Sequence, residues 1–318
     1  GLGGCATKDG GVTMPVPDAA PFSDSGLETV PDRWWTTFAD SSLNREMELC
    51  IDGNFTLAAA WQRLRAAEAL TRREASDLWP DLNGFWESEG VFPTEGDASS
   101  CFALGVDAAY QVDLWGEIRS RVDAERFRTT ATLADYHTAA LTLAADFAAT
   151  WFSLIEARAQ LELLNEQLVV NLRGLELQKE AGRLGQILSA DVFRQQQLVE
   201  STREKAVVVR SRIAVLARQL AVLQGRPPQE VSYDPGTELP TLPPLPETGV
   251  PAALVNRRPD VLRDFYALQA ADQDLASAVS AQYPRFNLSG SVTTVAESPQ
   301  YLFREWIAVI AGQLIGPL

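Results

Sequence analysis

The sequence predicts an α+β membrane protein in which long antiparallel α-helical hairpins are joined to β-strands of barrel type, within an internal tandem repeat. Three observations carry this. Across residues 116–225 apolar side chains recur in steps of three and four, over two stretches far longer than the roughly 11 residues of an ordinary globular helix. Near residues 81–115 and 285–318 the period falls to two, as in strands with one apolar and one wet face. The helix and strands near residues 54–115 are matched by similar residues 204 positions later.

The chain opens Gly1-Leu2-Gly3-Gly4-Cys5, which has the form of a lipoprotein signal-peptide end: a branched residue three before the cysteine, small residues between. Cleavage there makes Cys5 the lipidation site, an anchor that holds a protein to a membrane surface without spanning it. Residues 1–31, rich in Gly, Pro and Ser and without period, read as lipobox remnant and tether. Residues 32–80 are the first-repeat helices. Asp32 is placed to cap a helix that begins at Trp34 and Trp35 and carries Phe38, followed by Asp40, Leu43, Met47 and Ile51. Asn54 starts another, through Leu57, Trp61, Leu64 and Leu70 to Trp79, and Pro80 stops it.

Residues 81–115 form the first β-barrel hairpin. In 101–115 the positions Phe102, Leu104, Val106, Ala108, Tyr110, Val112 and Leu114 are apolar, while Asp107, Gln111 and Asp113 lie on the other side. Leu82, Gly84 and Trp86 mark the weaker strand before it, and residues 93–97 join the two. The long helical hairpin, 116–225, follows. Its first helix has a seam at Leu133, Tyr136, Ala140, Leu143, Phe147, Thr150, Leu154, Ala157, Leu161, Leu164 and Leu168. A second row, Leu141, Ala144, Ala148, Trp151 and Ile155, gives it neighbours on both flanks. The return helix repeats the pattern at Val199, Thr202, Ala206, Val209, Ile213, Leu216, Leu220 and Leu223. Gly182 and Gly185 permit the turn between them.

Residues 226–256 are a Pro-rich connector. The second-repeat helix, 257–284, starts at Arg257-Arg258-Pro259-Asp260, with Pro259 suited to the first helical position, and ends before Pro284. Residues 285–318 hold the second β-barrel hairpin, with Phe286, Leu288, Gly290 and Val292 in one strand and Trp306, Ala308, Ile310, Gly312 and Leu314 in the other. The repeat aligns Ala66-Ala67-Glu68 with Ala270-Ala271-Asp272, Phe102 with Trp306 and Val106 with Ile310. Its second copy lacks a helical hairpin, from which the chain is expected to be a C-terminally truncated fragment. The helices near 54–79 and 189–224 hold 26 and 36 residues, and stacked end to end they match the 64 of residues 117–180, about 95 Å long.

Composition narrows the function. The 27 basic against 42 acidic residues give a formal net charge of −15, which repels nucleic-acid phosphates. Uninterrupted apolar runs do not reach the roughly 20 residues of a membrane helix, so a membrane crossing has to use strands. The lone histidine, His137, reads as a helix-surface residue with no metal-ligand spacing around it. No nucleophile and base pair or phosphate-binding loop points to an enzyme, and no cofactor is implied. Cys50, on a helix, and Cys101, at a strand end, are expected not to bond to each other.

Several segments together resemble a known family: Trp35-x-x-Phe38-x-Asp40-x-x-Leu43, Asp113-Leu114-Trp115-Gly116, residues 185–192, and Arg257-Arg258-Pro259-Asp260 followed by Ala281-x-x-Pro284-x-Phe286. The chain after Cys5 is similar to the outer-membrane efflux channels of the TolC, OprM and NodT type. The resemblance implies an outer-membrane lipoprotein and homotrimer, each chain giving four strands to one shared barrel and its helices to a periplasmic tunnel. It also implies a passive conduit for small molecules such as drugs, toxic compounds or metal ions, partnered by a periplasmic membrane-fusion adaptor and an inner-membrane pump. Gly182, Gly185, Gln186, Ser189 and Asp191 then form the adaptor-contact tip. Family members usually have a small residue where Leu188 stands, with Ser189 one position later. Independently, four strands cannot close a membrane barrel, which takes about eight. The apolar stripe from Phe102 to Leu114 is expected to face lipid, and an acidic lumen favours cations. The alternative is a periplasmic structural or adaptor protein that docks through its coiled-coil hairpin. Trp34 and Trp35 are read as core anchors, and Arg257 and Arg258 as helix-start residues.

Overall fold

A computed structural model describes residues 32–92, 94–95, 97, 99–229, 232–243 and 256–316; Cys5, the tether, part of the connector, Pro317 and Leu318 lie outside them. A 3-10 turn, Trp34–Phe38, leads into helices α1 (Ser41–Gly53) and α2 (Phe55–Ser76), then strands β1 (Asp81–Val91) and β2 (Ser99–Val112). Helices α3 (Glu117–Arg183), α4 (Ser189–Leu223) and α5 (Pro259–Ser280) follow, then β3 (Arg285–Ala296), a 3-10 turn at Pro299–Tyr301 and β4 (Ile307–Ile315). The described residues divide into two compact units: 62–135 with 256–316, which holds every strand, and 32–61 with 136–243.

The second of these is built on the hairpin seam. Phe147, Ala148, Trp151, Leu154 and Ile155 of α3 are buried with Leu43, Met47 and Cys50 of α1, Leu57 of α2, Leu220 and Ala221 of α4, and Tyr233. Nearer the turn, Ala157 and Leu164 meet Ala206 and Val209. Neither row is buried end to end, since Leu133 of the seam and Leu141 of the second row are exposed. α4 has 35 residues to the 67 of α3, so it can cover only about half of α3, and against the other half Thr71 of α2 bonds Glu125 O and Thr129 at 3.1 and 2.8 Å. By length and composition a stretch of α3 is apolar enough to cross a membrane, a property that averaged alanine and leucine content gives without an unbroken run. Within this unit that apolar content packs against α1 and α4.

The start of the first helix differs from expectation. Arg33 rather than Asp32 precedes the 3-10 turn and makes no side-chain cap, and Ala39, at φ +54°, reverses the chain. The α-helix then begins afresh at Asp40, whose Oδ1 accepts from the amides of Ser42 and Leu43 at 2.8 and 3.0 Å. There, and not at Asp32, a carboxylate reaches two of the free N–H groups of the first turn. Trp151 Nε1 donates to the other oxygen at 2.9 Å, fastening the cap to α3.

Where α1 passes into α2, Asn54 caps α2 by accepting from Leu57 N at 2.9 Å and donates to Leu223 O at 2.8 Å. The end of α4 therefore abuts the start of α2, the end-to-end arrangement that the helix lengths suggest. A Cβ on Gly53 would lie 2.5 Å from Gln224 O, so no larger residue fits at this junction. Beside it Gln224 donates to Glu46 O at 2.9 Å and accepts from Tyr233 at 2.7 Å. Burial pushes the Cys50 thiol, which donates to Leu223 O, up to about 12. Cys101 is exposed on β2.

In the other unit the four strands form one antiparallel sheet in the order β1-β2-β3-β4. The repeat is visible in the element bounds: α2 and α5 run 55–76 and 259–280, and β1 and β3 start at 81 and 285, each 204 apart. Expected bounds move: α2 ends at Ser76, short of Trp79. β2 ends at Val112, so Leu114 and Trp115 leave the strand although their alternation continues, and β4 begins after Trp306.

Candidate functional site: the sheet faces and the hairpin tip

Cross-strand register assigns every strand residue to one of two faces. Leu82 pairs with Ala108, Trp86 with Leu104, Val106 with Val292, Tyr110 with Leu288 and Val112 with Phe286, while Gly290 pairs with Ile310 and Phe286 with Leu314. These share one face, and it is almost wholly apolar. On the other, Asn83 pairs with Asp107, Asp107 with Ser291 and Gln111 with Asn287, and Asn83 Nδ2 donates to Asp107 at 3.4 Å. Side chains on the apolar face stand open: Ile310 is 84% exposed. The edge strands β1 and β4 have no outer neighbour among the described residues.

The segment Asp113-Leu114-Trp115-Gly116 turns the chain from β2 into α3. Gly116 has φ +81°, a conformation that suits glycine. Asp113 does not continue the polar side of the strand: its carboxylate accepts from the amides of Ile118 and Arg119 at 3.2 and 3.1 Å and from Arg119 Nε at 3.0 Å. Burial pushes its pKa up, but the hydrogen bonds from Arg119 and Ile118 and the guanidinium charge outweigh it, and the net shift is downward. Trp115 Nε1 donates to Pro284 O at 2.8 Å and its ring stacks on Tyr283, so the two repeats are joined through these motif residues. Leu114 is exposed.

Pro259 is the first residue of α5, as expected, and Arg258 is its N-cap without a side-chain cap bond. Arg258 instead grips the Asp260 carboxylate with Nε and Nη2, at 3.1 and 2.6 Å. That contact raises the pKa of Arg258 and lowers that of Asp260. Arg257 is exposed. Trp35 is buried in the core, with Trp34 and Phe38 packed against it, and Phe38 meets Phe152 edge-on at 5.0 Å. His137 is exposed on α3.

At the tip, Gly185, two residues past the end of α3, has φ +70°. Gln186 N donates to Ala181 O at 2.9 Å and Gly185 N to Gly182 O at 3.0 Å, which closes the helix C-terminus. Gly182 does not share that role: it lies inside α3 with an ordinary φ, and a Cβ there would meet Val192 at 3.5 Å, a normal contact. Ser189 is the first residue of α4, and Asp191, in its first turn, pairs with Arg194. Sequence reasoning passed over the main chemical feature here, which is apolar. Leu184 and Leu188 are each 72% exposed, and Phe193 stands open beside them. Two large apolar residues in a solvated turn, with Phe193 in the first turns of α4, were the available signal, and Leu188 was the one that stood out.

The comparisons with known proteins agree with this geometry. The model of the family described as "Outer membrane efflux protein" matches residues 48–226. The pyoverdine export outer membrane protein OpmQ of Pseudomonas putida is 26% identical over 97% of this chain and 68% of its own length. The cation efflux system protein CusC of Escherichia coli is 26% identical over 91% and 65%. The chain thus spans about two thirds of these relatives. The solved outer-membrane channel OprN superposes with TM-score 0.82 at 25% identity, covering 90% of this chain and 66% of that one. The Campylobacter jejuni CmeC outer membrane channel shares the fold at TM-score 0.86 and 19% identity, over 96% and 70%. With more than half its length matched by the family model, the chain belongs to the outer membrane efflux protein family.

Proposed function

We propose that three copies of this protein assemble into an outer-membrane duct, the outer component of a tripartite export system, which passes small solutes outward without chemistry on them. The observation that carries the reading is the sheet. It has one apolar and one polar face and two edges without a neighbour among the described residues, and four strands fall short of the roughly eight needed for closure, whereas three copies supply twelve. The apolar face then meets lipid and the polar face the lumen. The hairpin tip, with Leu184, Leu188 and Phe193 exposed around Gly185, is the surface for a periplasmic adaptor, and Gln186, Ser189 and Asp191 flank it. Cys5 carries the lipid anchor. The full-length gene product extracted from outer membranes should run as a trimer before boiling, carry lipid, and conduct ions in planar bilayers. A monomer confined to the aqueous periplasm would reverse the reading in favour of an adaptor-like protein. Leu184→Ser with Leu188→Ser should abolish cross-linking to the adaptor while leaving the trimer intact.

A further inference from the structure

The polar face of the sheet is not polar throughout. On β4 it carries Ile307, Val309, Ala311 and Ile315 with only Gln313 among them, since Ile307 pairs with Thr293, Val309 with Ser291 and Gln313 with Asn287. Phe85 of β1 stands on the same face: a Cβ on Gly105 would lie 2.9 Å from the tip of its ring and 2.9 Å from Thr293 Oγ1. Gly105 is therefore the floor on which the Phe85 ring lies, and the row Phe85, Gly105, Thr293, Ile307 runs across all four strands. Val295, two residues along β3 from Thr293, and Val309, two along β4 from Ile307, widen it. Ile307 is 60% and Val309 51% exposed, so the patch is open rather than covered by neighbouring side chains. Carboxylates border it: Glu87 pairs with Ala103 on one side, and Asp107 with Asn83 on the other.

An apolar patch between carboxylates complements an apolar body that bears a positive charge. We infer that this belt is a solute-contact site inside the barrel, which prefers amphipathic organic cations over small hydrophilic ones. The inference rests on the reading of the sheet as a barrel wall whose polar face is the lumen.

The test uses planar-bilayer recordings of the full-length product, blocked from the extracellular side with tetramethylammonium or tetrapentylammonium. The longer-chain ion should block at a concentration about tenfold lower or less, as burial of several methylenes implies. Phe85→Ser with Ile307→Ser should bring the two ions to within about threefold of each other in channels that still conduct potassium chloride, whereas Phe85→Leu keeps the preference. Asp107→Asn should weaken block by both ions alike. If the double variant yields no trimer, Val309→Ser gives the same reading from the next position. Channels that conduct but show equal block, or a preference that survives the serine variants, overturn this inference alone. Absence of any current from the wild type overturns the duct reading and this inference with it.

Discussion

Gly182 and Gly185 sit three residues apart at the hairpin tip and look alike in the sequence, yet only one needs to be glycine. Gly185 has φ +70°, where a Cβ costs roughly 1 kcal/mol, and Gly182 has helical backbone with room for a methyl. Gly185→Ala should destabilise the hairpin by about 1 kcal/mol and Gly182→Ala should stabilise it by about 0.5 kcal/mol, read as opposite shifts in thermal midpoint by circular dichroism. Asp113 makes the same point for a carboxylate. Alternation placed it on the wet side of a strand, but it holds the first turn of α3 through Ile118 and Arg119. Because its pKa is lowered by folding, its contribution is complete above the ordinary aspartate value near 4 and fades as pH falls through the lower folded value. Asp113→Asn should cost about 1 kcal/mol at pH 7, a figure kept small because Arg119 is largely exposed. The gap between variant and wild type should close towards pH 3. A melting difference that stays constant across that range would remove Asp113 as a charged cap.

At the scale of elements, the sequence was most readable where one period persisted longest. The seam positions Val199, Thr202, Ala206, Val209 and Leu220 are buried, and so is the run from Leu143 to Ala157 on α3, because helical spacing leaves a long apolar row only one place to go. Element ends were less readable. Asp32 and Asp40 both have cap chemistry, and which one caps depends on the reversal at Ala39, which no local preference announces. Likewise β2 stops at Val112 because Asp113 turns into a cap, while the apolar alternation runs on to Leu114. The junction of Asn54, Gln224, Glu46 and Tyr233 could not be foreseen, since Glu46 and Gln224 are 178 positions apart and Asn54 and Leu223 are 169. Phe147 is fully buried where α1 and α3 meet, so Phe147→Ala should cost about 3–5 kcal/mol, against less than about 0.5 kcal/mol for Leu163→Ala on the open face. Urea titration followed by the helical signal separates these values. Equal effects at the two positions would mean that the hairpin is not held by this seam.

For the whole molecule, the repeat was legible because two copies of one pattern, 204 residues apart, fix the strand bounds better than either copy alone. The partner-dependent part was legible only as an incompleteness: four strands, two edges unpaired among the described residues and one exposed apolar face. That incompleteness gives the decisive test of the face assignment. Ile310 lies on the apolar face and Ser291 on the opposite one. An arginine turned towards lipid costs about 2–4 kcal/mol at mid-membrane and much less nearer the interfaces, whereas an arginine turned into a water-filled lumen keeps its hydration. Ile310→Arg should therefore sharply reduce the trimer band that resists detergent before boiling, and Ser291→Arg should leave that band near wild-type intensity while altering ion selectivity. In an aqueous protein the expectation is different, because an arginine at the 84%-exposed Ile310 would then be as harmless as one at Ser291. The ratio of the two trimer yields thus reports which side of the sheet touches lipid, and equal yields would return this chain to the aqueous reading.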